Sequence, residues 1–176
     1  MTFILGGARS GKSAHAETLV LQSGLEPVYL ATAEPLDGEM SERIRHHRER
    51  RGGVWRTVEV PLDLPEALAA HSTPERAILV DCLTLWLTNL MIAQRVPADA
   101  VQALLSVLAT LPGPVVLVSN EVGLGVVPLG ALNRDFVDHA GRLHQRLAAM
   151  ADWVRFMAAG LPLDLKTPAR NDRCTS

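Results

Sequence analysis

Residues 6–13 of this chain read Gly6-Gly7-Ala8-Arg9-Ser10-Gly11-Lys12-Ser13. They match the pattern G-x-x-x-x-G-K-[ST] of a phosphate-binding P-loop at every fixed position. The glycines permit backbone conformations closed to other residues, so that successive N–H groups can point at phosphate oxygens. Lys12 would neutralise the β- and γ-phosphates of a nucleoside triphosphate, and the Ser13 hydroxyl would be a ligand of Mg²⁺. The stretch predicts that all eight residues bind nucleotide and that Lys12 also acts in catalysis.

The residues on either side of this loop support the same interpretation. Thr2–Leu5 is a short apolar run that predicts a buried strand, and Lys12–Ser23 has helical character and stops at Gly24. A P-loop lies between a strand and a helix, whereas a chance match would have no such context. The helix also directs the positive end of its dipole at the phosphates.

Strands and helices alternate along the rest of the chain. Further strands are predicted at Val28–Thr32, Trp55–Val60, Ala77–Asp81, Pro114–Ser119, Trp153–Ala158 and Leu161–Leu165. Helices are predicted at Glu39–Arg51, Asp63–His71, Leu83–Ala93, Ala98–Leu111 and Asn133–Met150. This order predicts an α/β, P-loop NTPase-like fold with a mostly parallel sheet and helices on both faces. We expect one domain over residues 1–166 and a disordered polar tail over residues 167–176.

Composition narrows the class of protein. Of the 176 residues, 48% are hydrophobic and 20% are charged, which argues against a disordered chain. The net charge of −2 gives no support to nucleic-acid binding. The two cysteines, Cys82 and Cys174, form neither a disulfide framework nor a zinc pattern. We see no signal peptide and no apolar stretch of the length that spans a membrane, and we expect a cytoplasmic protein.

Asp81 closes an apolar strand, where a P-loop protein needs a second acidic residue to help hold Mg²⁺. The sequence therefore predicts a metal site formed by Ser13 and Asp81. The alternative role for Asp81 is as the N-cap of the helix that begins at Leu83.

Two adjacent histidines lie in a charged segment that is predicted to be helical. Met40, Ile44 and His47 fall on one helical face, which should look toward the protein because it carries the apolar residues of the segment. A neutral imidazole there could attack phosphorus and form a phosphoramidate, with nearby arginines stabilising charge. His46 shares a more solvent-directed side. The alternative is a solvated basic helix whose histidines take no part in chemistry.

Together these motifs resemble the bifunctional adenosylcobinamide kinase / adenosylcobinamide-phosphate guanylyltransferase family of cobalamin biosynthesis. The resemblance extends from about Phe3 to Lys166. The matching stretches are residues 6–13, Tyr29–Ala33, residues 39–47, Trp55–Thr57 with Glu59, Thr88–Leu90 and the strand Val115–Ser119 that runs into Asn120-Glu121-Val122-Gly123.

The resemblance implies two successive reactions. A nucleoside triphosphate, ATP or GTP, phosphorylates the aminopropanol hydroxyl of adenosylcobinamide. GTP then gives its guanylyl group to a histidine, and the phosphorylated corrinoid takes that group to become adenosylcobinamide-GDP. By match to the family pattern the histidine is His47, in preference to His46.

The resemblance also implies further nucleotide contacts and an oligomer. The contacts fall at Ala31, Thr32, Ala33, Arg48, Glu49, Arg50, Arg51, Glu59 and Asp81. Glu59 could equally be an exposed strand residue, and residues 48–51 a solvated face. Asn120 and Glu121 lie where ligands bind in parallel α/β sheets, or else they cap the loop. A homotrimer is implied by the family.

Two other functions are compatible with the P-loop. One is a kinase of another small molecule, in which His46 and His47 are structural. The other is a nucleotide-dependent regulatory module without a small-molecule substrate. A covalent guanylate on the protein would separate the corrinoid enzyme from both.

Overall fold

The computed structural model describes residues 1–34 and 52–168 of the chain. The strands are β1 (Thr2–Gly6), β2 (Glu26–Ala31), β3 (Arg56–Glu59), β4 (Arg76–Asp81), β5 (Val115–Asn120), β6 (Trp153–Ala158) and β7 (Leu161–Lys166). The helices are α1 (Lys12–Gln22), α2 (Leu64–His71), α3 (Leu83–Ile92), α4 (Pro97–Leu108) and α5 (Ala131–Met150), and a 3₁₀ turn covers Gly52–Val54.

The seven strands form one sheet in the order β3-β2-β4-β5-β1-β6-β7. Every neighbouring pair is parallel except β6 and β7, which form an antiparallel hairpin at one edge. The predicted mostly parallel sheet is confirmed, and the elements that the sequence predicts in these ranges are present with ends shifted by a few residues. The predicted helix Glu39–Arg51 and most of the predicted tail, residues 169–176, lie outside the described residues.

Helices cover both faces of the sheet, as predicted. On one face Ala16 and Val20 of α1 pack against Ile4, Leu79 and Val118. On the other face apolar residues from α2, α3, α4 and α5 pack against the alternate residues of the same strands, such as Phe3, Val80 and Leu117. Because β1, β4 and β5 are covered on both sides, the middle of each strand is a continuous apolar run, as the sequence shows.

Local sequence fixes the ends of several elements. Gly24, which follows α1, has φ 72°, a left-handed conformation that favours glycine after a helix. Pro97 is the first residue of α4, where its missing N–H costs no hydrogen bond. The β6–β7 turn is made by Ala159 and Gly160, both with positive φ. Within residues 1–34 and 52–168, no helix has both the length and the apolar character that a membrane crossing requires.

Candidate nucleotide site

The P-loop connects β1 to α1 at the carboxyl edge of the sheet, where parallel α/β folds bind their ligands. Gly6 ends β1 and is paired with Asn120 of β5 on one side and with Met157 of β6 on the other. A Cβ at Gly6 would lie 2.5 Å from the Ser10 Oγ and 2.7 Å from the Met157 carbonyl oxygen. No side chain fits there, so the first glycine of the motif is required by close packing.

The other end of the loop is held by the β6–β7 turn. The N–H of Gly160 donates a hydrogen bond to the Ser10 carbonyl oxygen, at 3.0 Å. Gly11 has φ 92°, and a Cβ on it would lie 3.1 Å from the Gly160 Cα. Gly160 therefore shapes the loop, although the sequence motif does not include it. Its only sequence signal was a glycine between two predicted strands.

The Lys12 side chain folds back over the loop. Its Nζ donates to the Gly7 carbonyl oxygen at 3.0 Å, and the residue is almost fully buried. Burial lowers the pKa of Lys12, while the negative charge of Asp81 acts in the opposite direction. The Gly7 backbone carbonyl thus helps to hold the ammonium group inside the loop, and it is a weak partner that the oxygens of a phosphate can replace.

Ser10 carries the one buried side-chain polar atom, among those of the described residues, that lacks a hydrogen-bond partner. The Oγ lies against Gly6 inside the loop. A buried hydroxyl without a partner is costly, and such atoms in folded proteins call for an explanation. Ser10 is one of the residues that the motif predicts to bind nucleotide.

Asp81 ends β4 on the same face of the sheet as α1, since it continues the alternation of Ala77 and Leu79. Its Oδ2 accepts a hydrogen bond from the Tyr29 hydroxyl at 3.0 Å. The N-cap of α3 is Cys82, so the alternative role of Asp81 as that cap is wrong. The Cys82 thiol is fully buried, which raises its pKa to about 11 and leaves it a poor nucleophile.

The residues present suit a magnesium ion held jointly with a nucleotide. Mg²⁺ prefers oxygen ligands and keeps several waters, so that one or two protein groups and the substrate phosphates suffice. Ser13 and Asp81 supply a hydroxyl and a carboxylate at the same edge of the sheet. The described part of the chain has no group of three or more His, Cys, Asp or Glu residues that could hold a metal without a nucleotide.

A buried network fixes the end of β2, and sequence reasoning missed it. The Thr32 hydroxyl donates to the Cys82 carbonyl oxygen at 2.7 Å and accepts from the Cys82 N–H at 2.8 Å. The Asn89 Nδ2 donates to the Thr32 and Pro61 carbonyl oxygens, at 2.8 and 3.0 Å. The signal in the sequence was the polar residue Asn89 within the largely apolar segment 83–92, and the structure shows that Asn89 is buried.

The other predicted contacts are spread along the carboxyl edge. Ala31 pairs with Asp81 of β4 and with Glu59 of β3, which is exposed. Strands are spaced by about 4.8 Å, so β4, β2 and β3 lie about 10, 14 and 19 Å from β1. Ala33 lies two residues beyond the end of β2 and is not part of the sheet. The histidine pair and residues 48–51, Arg48, Glu49, Arg50 and Arg51, lie outside the described residues, so His47 stays a prediction.

Asn120 ends β5 and Glu121 follows it, beside the P-loop, and both take part in hydrogen bonds. The Glu121 N–H donates to the Gly6 carbonyl oxygen at 3.0 Å, and its Oε1 accepts from the Gly123 N–H at 2.6 Å. The Asn120 N–H donates to the Thr84 Oγ1 at 3.3 Å. The alternative that Glu121 caps the loop is therefore confirmed for its side chain.

Solved structures share this fold at low sequence identity. The flagellar accessory protein FlaH from Methanocaldococcus jannaschii superposes with a TM-score of 0.53 at 13% identity, over 95% of this chain and 78% of that chain. An ATPase from the type III secretion system of pathogenic bacteria gives a TM-score of 0.51 at 10% identity, over 93% and 56%. These similarities support the P-loop NTPase fold and nothing finer.

Sequence comparisons identify the family. The model of the family described as "Cobinamide kinase / cobinamide phosphate guanyltransferase" matches residues 2–165. The "Bifunctional adenosylcobalamin biosynthesis protein CobP" of Pseudomonas aeruginosa is 55% identical, over 93% of this chain and 95% of its own length. The protein CobU of the same description from Salmonella typhimurium is 41% identical, over 94% and 99%. The chain therefore belongs to the cobinamide kinase / cobinamide phosphate guanyltransferase family of bifunctional transferases.

Proposed function

We propose that this chain phosphorylates the aminopropanol hydroxyl of adenosylcobinamide and then joins GMP to that phosphate through a guanylyl-His47 intermediate. The product is adenosylcobinamide-GDP. The observation that carries the proposal is the P-loop itself. Lys12 is buried within it and bonded to the Gly7 carbonyl oxygen, and the loop lies at the carboxyl edge that also carries Asp81.

In the first reaction the hydroxyl oxygen of the corrinoid attacks the γ-phosphorus of ATP or GTP. A P–O bond forms to that oxygen, the bond to the β,γ-bridging oxygen breaks, and a nucleoside diphosphate leaves with the electron pair. The hydroxyl proton passes to solvent. Lys12 would exchange its bond to Gly7 for phosphate oxygens, and the N–H groups of residues 7–13 would bind the β-phosphate. These interactions stabilise the charge on the transferring group.

Ser13 and Asp81 would hold Mg²⁺, with Asp81 oriented by the Tyr29 hydroxyl. When bound to these two residues, the ion would supply positive charge that offsets the negative charge of the phosphates. Burial of Lys12 and Ser10 within the loop would help to exclude water from the phosphates, which limits wasteful hydrolysis.

In the second reaction a neutral imidazole nitrogen of His47 attacks the α-phosphorus of GTP, and pyrophosphate leaves. A phosphate oxygen of the corrinoid phosphate then attacks the same phosphorus, and the P–N bond breaks to release neutral His47. The choice of His47 over His46 rests on the family pattern and on the face that His47 shares with Met40 and Ile44 in the helix predicted from the sequence. Arg48, Arg50 and Arg51 would stabilise the phosphate charge.

The remaining nucleotide contacts are proposed along the same edge. The phosphates would bind at β1, and Ala31, Thr32, Ala33 and Glu59 would lie toward the other end of the nucleotide. The hydroxyl, N–H and carbonyl oxygen of Thr32 are already bonded to Cys82, Asp81 and Asn89, so its part would be to position Ala31 and Ala33. We also propose a homotrimer, as the family resemblance implies, and a sedimentation measurement checks it.

The decisive test is labelling of the protein by GTP and Mg²⁺. GTP labelled at the α-phosphorus should leave acid-labile, base-stable label on the protein, and GTP labelled at the γ-phosphorus should leave none. Label from the γ-position, or no label at all, would contradict the guanylyl intermediate. Cobinamide phosphate should then remove the label and become the GDP derivative.

Two matched variants locate the nucleophile. His47→Ala should lose the label while it keeps triphosphate binding, and His46→Ala should be labelled as wild type. The reverse result would move the nucleophile by one residue. A wild-type protein that phosphorylates another acceptor without ever becoming labelled would be a kinase of a different small molecule. Slow hydrolysis that no acceptor stimulates would indicate a regulatory module.

A further inference from the structure

The loop between β5 and α5, which begins beside the P-loop, exposes large apolar side chains. Val126 is 96% exposed and Leu129 is 99% exposed, which is unusual for such residues in a folded chain. We call the exposed side chains of four loop residues and one residue of the first turn of α5 the apolar loop surface: Leu124, Val126, Val127, Leu129 and Leu132. Clustered exposure of this kind marks a surface that binds something, whereas single exposed residues need no explanation.

The loop has a defined backbone. The Arg134 guanidinium, at the start of α5, donates to the carbonyl oxygens of Pro128 and Leu129. The Glu121 carboxylate accepts from the Gly123 N–H at the other end. These bonds hold the loop from both sides and leave its apolar side chains pointing away from the core. The surface is therefore built and held in place before any ligand binds.

Its position ties it to the phosphate site. β5 lies directly beside β1, with Asn120 opposite Gly6. The Glu121 N–H is bonded to the Gly6 carbonyl oxygen at 3.0 Å, so the loop leaves the sheet next to the first residue of the P-loop. On the other flank of β1 the Gly160 turn packs against Ser10 and Gly11. A large acceptor whose hydroxyl reaches the γ-phosphate on the β5 side would meet this surface.

After Glu121, its first residue, the loop carries no charged side chain. Residues 122–133 contain no Lys, Arg, Asp, Glu or His. Arg134, the next charged residue, is already bonded to two backbone carbonyl groups. The five side chains of the surface offer no cation to an anionic ligand, and the guanidinium of Arg134 is held against the loop carbonyl groups. An occupant with an apolar body and neutral polar groups fits it better, because the irregular loop also offers peptide N–H and C=O groups.

We infer that the apolar loop surface binds the corrin ring of the cobinamide substrate. This inference rests on the proposed function. A corrin is a broad ring whose rim carries methyl groups and uncharged amide side chains. The methyl groups would pack on Val126 and Leu129, and the amides would bond to the loop backbone. The ring is thereby held beside the P-loop, with its hydroxyl-bearing arm directed at the phosphates.

The test compares binding of cobinamide with binding of nucleotide. Cobinamide absorbs visible light, so equilibrium dialysis in the presence of a non-hydrolysable GTP analogue gives its dissociation constant directly. The double variant Val126→Ser, Leu129→Ser should bind cobinamide at least about tenfold more weakly, since two apolar contacts are lost. Its affinity for the GTP analogue and its labelling by GTP should equal those of wild type.

Ile92→Ser is the matched control. Ile92 is also exposed, but it ends α3, which begins at the carboxyl edge and runs back toward the opposite edge of the sheet. That variant should bind cobinamide as wild type does. Unchanged cobinamide binding in the double variant would overturn the inference. A lower association state of the double variant in sedimentation would also overturn it, because the surface would then bind a second copy of the chain.

These results separate the inference from the function on which it rests. A wild-type protein that binds no cobinamide and takes no label contradicts the proposed function itself. Wild-type protein that binds cobinamide and takes label, with a double variant that does the same, contradicts only the assignment of this surface.

Discussion

The backbone N–H of Gly160 donates a 3.0 Å hydrogen bond to the carbonyl oxygen of Ser10. The bond joins the β6–β7 hairpin turn to the P-loop, two segments about 150 residues apart in the sequence. At the same place Gly11 approaches so closely that a Cβ would meet the Gly160 Cα at 3.1 Å. The antiparallel hairpin at the edge of the sheet is thus a support for the phosphate-binding loop.

Gly11→Ala should damage both stability and nucleotide binding. Gly11 has φ 92°, which is strained for alanine, and the new Cβ would press on backbone atoms of the hairpin. We expect a loss of about 1–3 kcal/mol in the free energy of unfolding, measured with urea, and triphosphate binding weaker by at least about tenfold. Gly141→Ala is the control. It lies in α5 with open space around it and should stabilise by about 0.5–1 kcal/mol. Wild-type stability and affinity in Gly11→Ala would show that the close approach is unimportant.

Asp81→Asn should raise the Mg²⁺ concentration needed for half-maximal turnover, by about 10–100-fold. The substitution removes a charged oxygen ligand and keeps the shape of the side chain. Tyr29→Phe, which removes the donor to Asp81, should produce a smaller shift in the same direction. Asp63→Asn is a matched control, because that carboxylate is exposed and bonded to Arg95. Unaltered magnesium dependence in Asp81→Asn would remove Asp81 from the metal site.

Asn89→Leu should lower the free energy of unfolding by about 2–4 kcal/mol, since one buried and one partly buried carbonyl group lose their donor. The groups belong to Thr32 and Pro61, which follow β2 and β3. Gln145→Leu, an exposed position on α5, is the control and should change stability by less than about 0.5 kcal/mol. Denaturant unfolding measures both variants. A cost in Asn89→Leu no greater than in Gln145→Leu would contradict the structural role of the network.

Stability should fall in mild acid in a way that depends on His144. Its ring shares a 2.8 Å hydrogen bond with the Ser119 Oγ, and burial lowers the pKa of His144 below 6.5, against the opposing charge of Glu121. The unfolded chain therefore binds the proton more tightly. The contribution of neutral His144 to the free energy of unfolding is complete above pH 6.5. It is lost as the pH falls toward the pKa of His144 in the folded state.

His144→Gln should reduce this acid dependence, measured as the free energy of unfolding against pH. Burial also lowers the pKa of His15 and His71, so a smaller slope should persist in the variant. His139→Gln, on the same helix, controls for the substitution itself. A variant that keeps the full wild-type slope below pH 6.5 would show that His144 does not govern it.

The sequence alone determined the fold class and the phosphate site, because both depend on local patterns. Apolar runs and turn residues indicate the order of the strands and helices. The P-loop residues are contiguous, so their types and spacing alone predict phosphate binding. Asp81 could be placed for the same reason, as the residue that closes a buried strand. The family was also readable, since its motifs cover nearly the whole chain.

The tertiary structure decided what depends on contacts between distant segments. The pairing of Gly160 with Ser10, the bonds from Asn89 to Thr32 and Pro61, and the Tyr29 donor to Asp81 join residues whose separation along the chain gives no sign of proximity. The exposure of Val126 and Leu129 belongs here as well. An apolar residue in a sequence predicts burial, and only the packing of the folded chain decides which ones are left on the surface.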